Sequence, residues 1–96
     1  MTEAMYYVLL ALLHPNHGYG LMQDIARVSR DRIHMGPGTL YGVLTRMLND
    51  GFIRVVADDG RRKTYEITQV GQAALREEYQ RLRAMVDDGN GLEGEA

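Results

Sequence analysis

The chain has 96 residues, 45% of them hydrophobic, a length that corresponds to one compact domain. It contains no cysteine, which excludes disulfides, thiolate zinc sites and a cysteine nucleophile. The formal net charge is −2, but residues 1–68 hold eight Lys/Arg against seven Asp/Glu, whereas residues 69–96 hold three against six. The acidic excess therefore lies near the C-terminus, and a positive local field remains possible before it.

The first predicted element is a helix over residues 3–14, which Pro15 ends. From Tyr7 to Leu13 it is apolar on nearly every side, whereas a surface helix has a single apolar stripe. The pattern predicts burial on more than one side. We favour a second subunit as the extra cover, the alternative being a central helix in the protein's own core.

A second helix is predicted over residues 18–30, with apolar residues at three- and four-residue spacing. Residues 31–35 form a connector, in which residues 33–35 can pair briefly as a strand. The third helix is predicted over residues 37–50, with Gly36 as N-cap and Pro37 at the first helical position.

The third helix has two distinct faces. Its inward stripe follows the i, i+3, i+4, i+7, i+8 pattern and consists of Leu40, Val43, Leu44, Met47 and Leu48. Its outward face is small and polar and consists of Gly38, Thr39, Tyr41, Gly42, Thr45, Arg46 and Asn49. A helix with such a face can enter a DNA major groove, which is about 12 Å wide. Gly51 is expected to end it as a left-handed cap.

Residues 52–68 are predicted to form a two-stranded hairpin, with Asp58-Asp59-Gly60 as its turn. Arg61, Arg62 and Lys63 follow the turn directly. Cations on a hairpin beside a groove-compatible helix can hold the phosphate backbone. We therefore expect these three residues to contact DNA, the alternative being a solvated charged hairpin.

The last predicted helix spans residues 69–87, with Thr68 as N-cap. Four apolar residues recur at coiled-coil spacing; they are Leu75, Tyr79, Leu82 and Val86. This stripe can pair with a second subunit or pack on the protein's own core, and the spacing leaves both open. Residues 88–96 have too little apolar content to form a buried face and are predicted to be a disordered tail.

Individual roles on the third helix follow from its geometry. Gly38 and Thr39 lie at its N-terminus, where free N–H groups favour a phosphate, and the hydroxyls of Thr39 and Tyr41 can donate to one. Thr45 and Arg46 are the predicted base readers, because a Thr methyl can touch thymine and Arg can bind guanine through two hydrogen bonds.

Three of these assignments have alternatives. Tyr41 can instead be a half-buried residue packed against the hairpin. Arg46 can pair with Asp50 four residues later. Tyr19, at the start of the second helix, can contact the DNA backbone or belong to the core.

No chemistry beyond binding is indicated. His14, His17 and His34 lack further ligands at suitable spacing, so we expect no metal site and interpret them as loop residues near helix ends. No side chains form a recognisable nucleophile or acid–base arrangement, so we expect neither catalysis nor a cofactor. The first residues lack the basic segment of a signal peptide, and the apolar run from Met5 is too short to span a bilayer. A cytoplasmic protein without a membrane partner is expected.

With these residues placed, the chain resembles the PadR family of bacterial transcriptional regulators. The matching segments cover about four fifths of the chain; they are Tyr7 to Leu13, Gly18-Tyr19, Gly38-Thr39-Leu40-Tyr41 with Leu44, Leu48 with Gly51-Phe52-Ile53, Arg61-Arg62-Lys63 with Tyr65, and Thr68 with Gly71 and Leu75. Gly42 and Thr45 depart from the family's usual residues, which loosens the helix and removes a cation there.

The resemblance implies a homodimeric winged helix-turn-helix repressor whose first and last helices dimerise. The expected fold is mainly α with a small β-hairpin and an additional C-terminal dimerisation helix. The expected interface residues are Tyr6, Val8, Leu9, Leu12, Leu75, Tyr79, Leu82 and Val86. Some short members of the family bind planar drugs between aromatic residues at this interface, but this chain has no Trp.

We therefore predict a homodimer that binds double-stranded DNA at a pseudo-palindromic operator and responds to a small-molecule effector. Half-sites are expected about one helical turn, roughly 34–36 Å, apart. One alternative is a winged-helix module that binds proteins and no DNA. Another is a small-molecule-sensing dimer whose cavity is lined by Tyr6, Tyr7 and Tyr79.

Overall fold

A computed structural model describes residues 1–94. Helices alternate with short strands along the chain. In order, the elements are α1 (Glu3–Ala11), β1 (Asn16–His17), α2 (Gly18–Val28), α3 (Pro37–Asn49), β2 (Ile53–Asp58), β3 (Lys63–Ile67), α4 (Gln69–Asp88) and a 3₁₀ turn (Asn90–Leu92). Among the described residues, no helix combines the length and the apolar character needed to cross a membrane. The predicted fold class, mainly α with a small sheet in a winged helix-turn-helix arrangement, is confirmed.

Helix α1 is the centre of the hydrophobic core and packs against α2, α3 and α4. Val8, Leu9 and Leu12 are completely buried within the single chain. They have no surface left for a second subunit, so the prediction that these three residues lie at a dimer interface is wrong. The apolar character of this segment reflects its position between three helices of its own chain.

Helix α1 ends at Ala11, three residues before the predicted end. The carbonyl of Leu12 accepts a hydrogen bond from the N–H of Ile67 in β3 (3.1 Å). That carbonyl is therefore bonded to the sheet and not to a further turn of the helix. In addition, Pro15 disfavours helical backbone at the residue before it. The early end leaves Leu13 half exposed at the surface.

Helix α2 ends at Val28, two residues earlier than predicted. Ser29 is fully buried, and its hydroxyl accepts a hydrogen bond from the N–H of Ile33 (3.0 Å). Arg30 and Asp31 adopt left-handed backbone, with φ of 55° and 62°. Two consecutive residues in this conformation cannot extend a right-handed helix, and they turn the chain toward α3.

The sheet has three antiparallel strands in the order β1-β3-β2. The sequence did not predict strand β1, in which Asn16 pairs with Tyr65 and His17 pairs with Thr64. The brief strand that was predicted over residues 33–35 does not form. The pairing of β2 with β3 shifts register between Val55 and Ala57, which is a β-bulge. We call β2, its turn and β3 the wing.

Helix α3 begins as predicted, with Gly36 as N-cap and Pro37 in its first turn. It ends at Asn49, one residue before the predicted end, and Gly51 follows with φ of +77°. Leu40, Leu44 and Met47 are buried, and the predicted outward face is exposed along its whole length. The two-faced helix expected from the sequence is therefore present.

One threonine joins four segments at the start of α4. The Thr68 hydroxyl donates to the carbonyl of Gly51 (2.7 Å) and accepts from the N–H of Gly71 (3.0 Å). Its N–H donates to the carbonyl of Phe52 (2.9 Å). Gly71 passes so close to this carbonyl that an added Cβ would lie 2.0 Å from the oxygen. The end of α3, the start of β2, the end of β3 and the start of α4 are thereby fixed together.

Only the first two turns of helix α4 contain buried residues. Gly71 and Leu75 are its only buried residues, and its C-terminal half is largely exposed. It extends one residue past the predicted end, and the 3₁₀ turn that follows buries no side chain. The disorder expected of residues 88–96 stays a prediction, and its last two positions, 95 and 96, lie outside the described residues.

The close approach at Gly71 predicts a large cost for one added methyl group. The Gly71→Ala variant should lose about 1–3 kcal/mol of unfolding free energy, because backbone must move. Gly42→Ala is the matched control, since no atom of residues 1–94 lies within 4 Å of a Cβ there. It should gain about 0.5–1 kcal/mol from helix propensity. Urea unfolding followed by circular dichroism measures both, and equal stabilities of the two variants would contradict the packing described.

Candidate nucleic-acid interface

A groove of about 520 Å³ separates α3 from the wing. The start of α2, the outward face of α3 and the turn of the wing form its walls. We call it the α3–wing groove; its lining residues are His17, Gly18, Tyr19, Tyr41, Leu44, Thr45, Leu48, Asp58, Gly60, Arg61, Arg62, Lys63 and Tyr65. The groove therefore combines surface from three elements that are distant in sequence.

Six of the nine predicted DNA-binding residues line this groove; they are Tyr19, Tyr41, Thr45, Arg61, Arg62 and Lys63. Tyr19 is 63% exposed, so the alternative that it belongs to the core does not hold. Arg61, Arg62 and Lys63 are all exposed, and no salt bridge within residues 1–94 engages them. Their charges are therefore available to an anion.

The other three predicted residues lie outside the α3–wing groove. Gly38 and Thr39 are exposed at the N-terminus of α3. Arg46 lies on the other flank of the helix, and its Nε is 3.8 Å from a carboxylate oxygen of Asp50. The ion pair considered as an alternative for Arg46 is therefore present, and a DNA contact of these three residues stays a prediction.

Tyr41 spans the space between α3 and the start of α2. It is 49% exposed, and an added Cβ on Gly18 would lie 2.4 Å from its hydroxyl oxygen. Glycine at position 18 therefore lets the phenol ring lie against α2. Tyr41 is half-buried, as the alternative predicted, but its hydroxyl end lies against α2. Its ring forms part of the groove wall.

Thr45 has its hydroxyl engaged within the helix. The hydroxyl donates to the backbone carbonyl of Tyr41 at 2.8 Å, a bond that Thr commonly makes in helices. The side chain is exposed. Since the hydroxyl is already engaged, the methyl group is the part of Thr45 that can contact a ligand. The predicted contact with a thymine methyl requires this.

The turn of the wing is held by a carboxylate. Asp59 accepts hydrogen bonds from the N–H groups of Arg61 (3.0 Å) and Arg62 (2.7 Å). These bonds favour the ionised form, so they hold the pKa of Asp59 below its ordinary value. Gly60, with φ of +87°, completes the turn. Asp59 is thus a structural acceptor that orients the backbone from which the two arginines project.

Sequence reasoning missed several residues of the groove, of which His17 and Tyr65 are the most informative. Tyr65 is buried at the base of the wing, and burial together with nearby Tyr41 raises the pKa of its phenol. His17 caps α2, since its Nδ1 accepts from the N–H of Gly20 (3.2 Å). Only the alternation of the hairpin strand could have indicated Tyr65, and no local pattern places His17 next to the wing.

Histidines do not gather elsewhere in the described chain. His14 and His34 are exposed, and His34 lies 3.7 Å from a carboxylate oxygen of Asp31. Among residues 1–94, no three or more His, Asp or Glu side chains are grouped so that they could hold a metal ion.

Comparisons with known proteins agree with this architecture. The model of the Transcriptional regulator PadR-like family matches residues 8–77. The chain is 40% identical over 74 residues to Transcriptional regulator Rv3488 of Mycobacterium tuberculosis, covering 72% of this chain and 64% of that protein. It is 36% identical over 78 residues to an uncharacterized 37.1 kDa protein in transposon TN4556 of Streptomyces fradiae, covering 80% of this chain and 22% of that protein. The chain thus spans less than two thirds of the length of each of these two relatives.

A solved structure with similar sequence has the same fold. The crystal structure of a PadR family transcriptional regulator from Eggerthella lenta superposes with a TM-score of 0.75 at 29% identity. The match covers 91% of this chain and 74% of that one.

Proposed function

This chain belongs to the PadR-like family of DNA-binding transcriptional regulators, and we propose that it acts as a homodimeric, effector-responsive repressor. The observation that carries the DNA-binding part is the α3–wing groove, in which three cations without a salt-bridge partner among residues 1–94 lie beside the exposed face of α3. In this proposal α3 enters a major groove, and the wing lies on the adjacent phosphate backbone. Binding of an operator and control of target genes by the whole protein belong to the same proposal.

Charge placement supports this docking. Arg54, the remaining cation of the wing, forms a salt bridge with Glu66, and its Nε lies 3.1 Å from a carboxylate oxygen. The cations after the turn have no such partners within residues 1–94. A net negative chain can therefore bind DNA, because the free positive charge is concentrated where the phosphate would lie. Gly38, Thr39 and Arg46 remain proposed secondary contacts.

The surface left for a second subunit lies on α4 and the outer side of α1. Tyr79 and Val86 are 47% and 71% exposed, and Leu82 is partly exposed. An exposed apolar stripe at coiled-coil spacing favours pairing with another chain. The proposed interface therefore retains Tyr6, Leu75 and these α4 residues, and excludes the three buried residues of the α1 segment.

A second groove supports the proposed effector site. It has a volume of about 280 Å³ and lies between α1 and α4, where Tyr6, Leu10, Leu75 and Tyr79 line it. Burial raises the pKa of Tyr6, and the neighbouring phenol of Tyr79 adds to the rise. Tyr7 lies outside this groove, since its hydroxyl accepts from Arg32 (2.7 Å). We call this surface the α1–α4 groove and propose that a planar aromatic effector binds it and changes the angle between subunits.

A direct measurement of duplex DNA binding distinguishes the proposed DNA-binding regulator from the alternative of a protein-interaction module. The Arg62→Ala variant should bind every duplex more weakly, and the slope of log K against log salt should fall by about 1.8, which is about 0.9 for each subunit of the dimer. Arg54→Ala is the matched control, because Glu66 already pairs with that cation. Fluorescence anisotropy over a salt series measures both slopes. Equal slopes in the two variants would contradict phosphate contact by the wing, and an absence of duplex binding by the wild type would favour the protein-interaction alternative.

Replacing an apolar residue of the proposed interface by a charge should separate the subunits. We expect Val86→Glu to raise the dimer dissociation constant at least about tenfold, since a carboxylate would be buried. Val70→Glu is the control: Val70 is 60% exposed on the opposite side of α4. Analytical ultracentrifugation gives the masses. Dissociation by both variants alike, or by neither, would exclude this face as the interface.

The effector proposal predicts a tyrosine signal. A planar aromatic cation should quench tyrosine fluorescence and weaken DNA affinity, and the Tyr79→Leu variant should lose much of both effects. Tyr19→Leu is the control for quenching, because Tyr19 lines the other groove. Quenching without any change in DNA affinity would contradict a regulatory role of the α1–α4 groove.

A further inference from the structure

We propose that His17 is a further DNA-binding residue, which donates a hydrogen bond from Nε2–H of a neutral imidazole to a backbone phosphate. This inference rests on the proposed function, because the phosphate is that of a duplex docked in the α3–wing groove. It adds an uncharged phosphate contact to the cationic contacts of the wing.

The tautomer of His17 follows from its hydrogen bond. Nδ1 accepts from the N–H of Gly20 at 3.2 Å, and a ring nitrogen that accepts cannot carry a proton. In the neutral ring the proton therefore lies on Nε2. The bond that caps α2 thus fixes Nε2 as a donor and also orients the ring.

The backbone of His17 is held beside the cations of the wing. His17 is paired with Thr64 of β3, the residue after Lys63. It lines the α3–wing groove together with Tyr19, Tyr41 and Lys63. A ligand that meets the wing cations in this groove therefore also lies along the wall that contains His17.

The Nε2 atom of His17 is open to a ligand. Among residues 1–94 this atom has no hydrogen-bond partner. Every buried side-chain nitrogen or oxygen in the same part of the chain does have a partner, so Nε2 is not a buried atom. His17 is only partly buried. Nε2 therefore faces solvent, and docked DNA would replace water as its partner.

Phosphate is the acceptor that fits this position best. Arg61, Arg62 and Lys63 provide a positive field in the same groove, and phosphate oxygens only accept hydrogen bonds at neutral pH. A base edge would make the contact depend on sequence. A phosphate would make it equal for every duplex, which gives the test its main readout.

The decisive variant is His17→Asn. An Asn side-chain oxygen can take over the cap from Nδ1, since Asn is among the best N-cap residues, but no atom replaces Nε2. The thermal unfolding midpoint should therefore stay near that of the wild type. Affinity for a fluorescein-labelled duplex at low salt should fall roughly a hundredfold, about tenfold for each subunit of the dimer, as expected when each subunit loses one hydrogen bond to a charged group.

Two further readouts separate a contact from a structural role. The loss should be similar for duplexes of unrelated sequence, and the salt slope should match that of the wild type, because a neutral donor releases no counterion. His17→Ala, which removes both cap and donor, should unfold at lower temperature and bind DNA as weakly as His17→Asn. In the wild type, the ¹⁵N resonance of His17 Nε2 should shift on addition of duplex, which needs no variant.

The outcomes distinguish the two proposals. A wild-type chain that binds no duplex overturns the proposed function, and this inference with it. If the wild type binds and His17→Asn binds equally well, or if the Nε2 resonance does not move, only the role of His17 is overturned. A salt slope lowered in His17→Asn by about one for each subunit would show a charged imidazole and would equally overturn the neutral-donor contact.

Discussion

The hydrogen-bonded junction at Thr68 is the constraint on which the interface depends. Its hydroxyl bridges the carbonyl of Gly51 and the N–H of Gly71, while its own N–H donates to the carbonyl of Phe52. Because α3 ends and β2 begins at this point, the junction sets where the wing starts relative to α3. It also sets the direction of α4. One side chain thus couples the helix proposed to read DNA, the wing and the helix proposed to dimerise.

Two glycines allow neighbouring elements to approach one another closely. Gly18 lets the ring of Tyr41 reach α2, and Gly71 lets α4 approach the carbonyl of Phe52. The carboxylate of Asp59 then orients the wing turn, so that Arg61 and Arg62 project without an internal partner among the described residues. These local contacts concentrate positive charge in one place, which explains how a chain of net charge −2 fits a family of DNA-binding regulators.

The sequence predicted the elements that depend on local patterns. The stripe of α3, the Thr68 cap and the wing turn each follow from residues close in the chain. Prediction from the sequence failed for the features that depend on contacts between distant segments. Burial of Val8 and Leu9 was assigned to a partner, because composition cannot tell which chain covers an apolar helix. The left-handed pair after α2 and the pairing of Asn16–His17 with β3 carry no local signal, and so the contribution of His17 to the groove was missed.

The most direct test of the central claim, that duplex DNA occupies the α3–wing groove, is NMR chemical-shift mapping during titration with duplex. If duplex binds there, the largest backbone amide changes should occur at residues 41–45 of α3 and 61–63 of the wing, with little change over residues 76–88 of α4. Large changes confined to α4, with the groove unaffected, would contradict the claim.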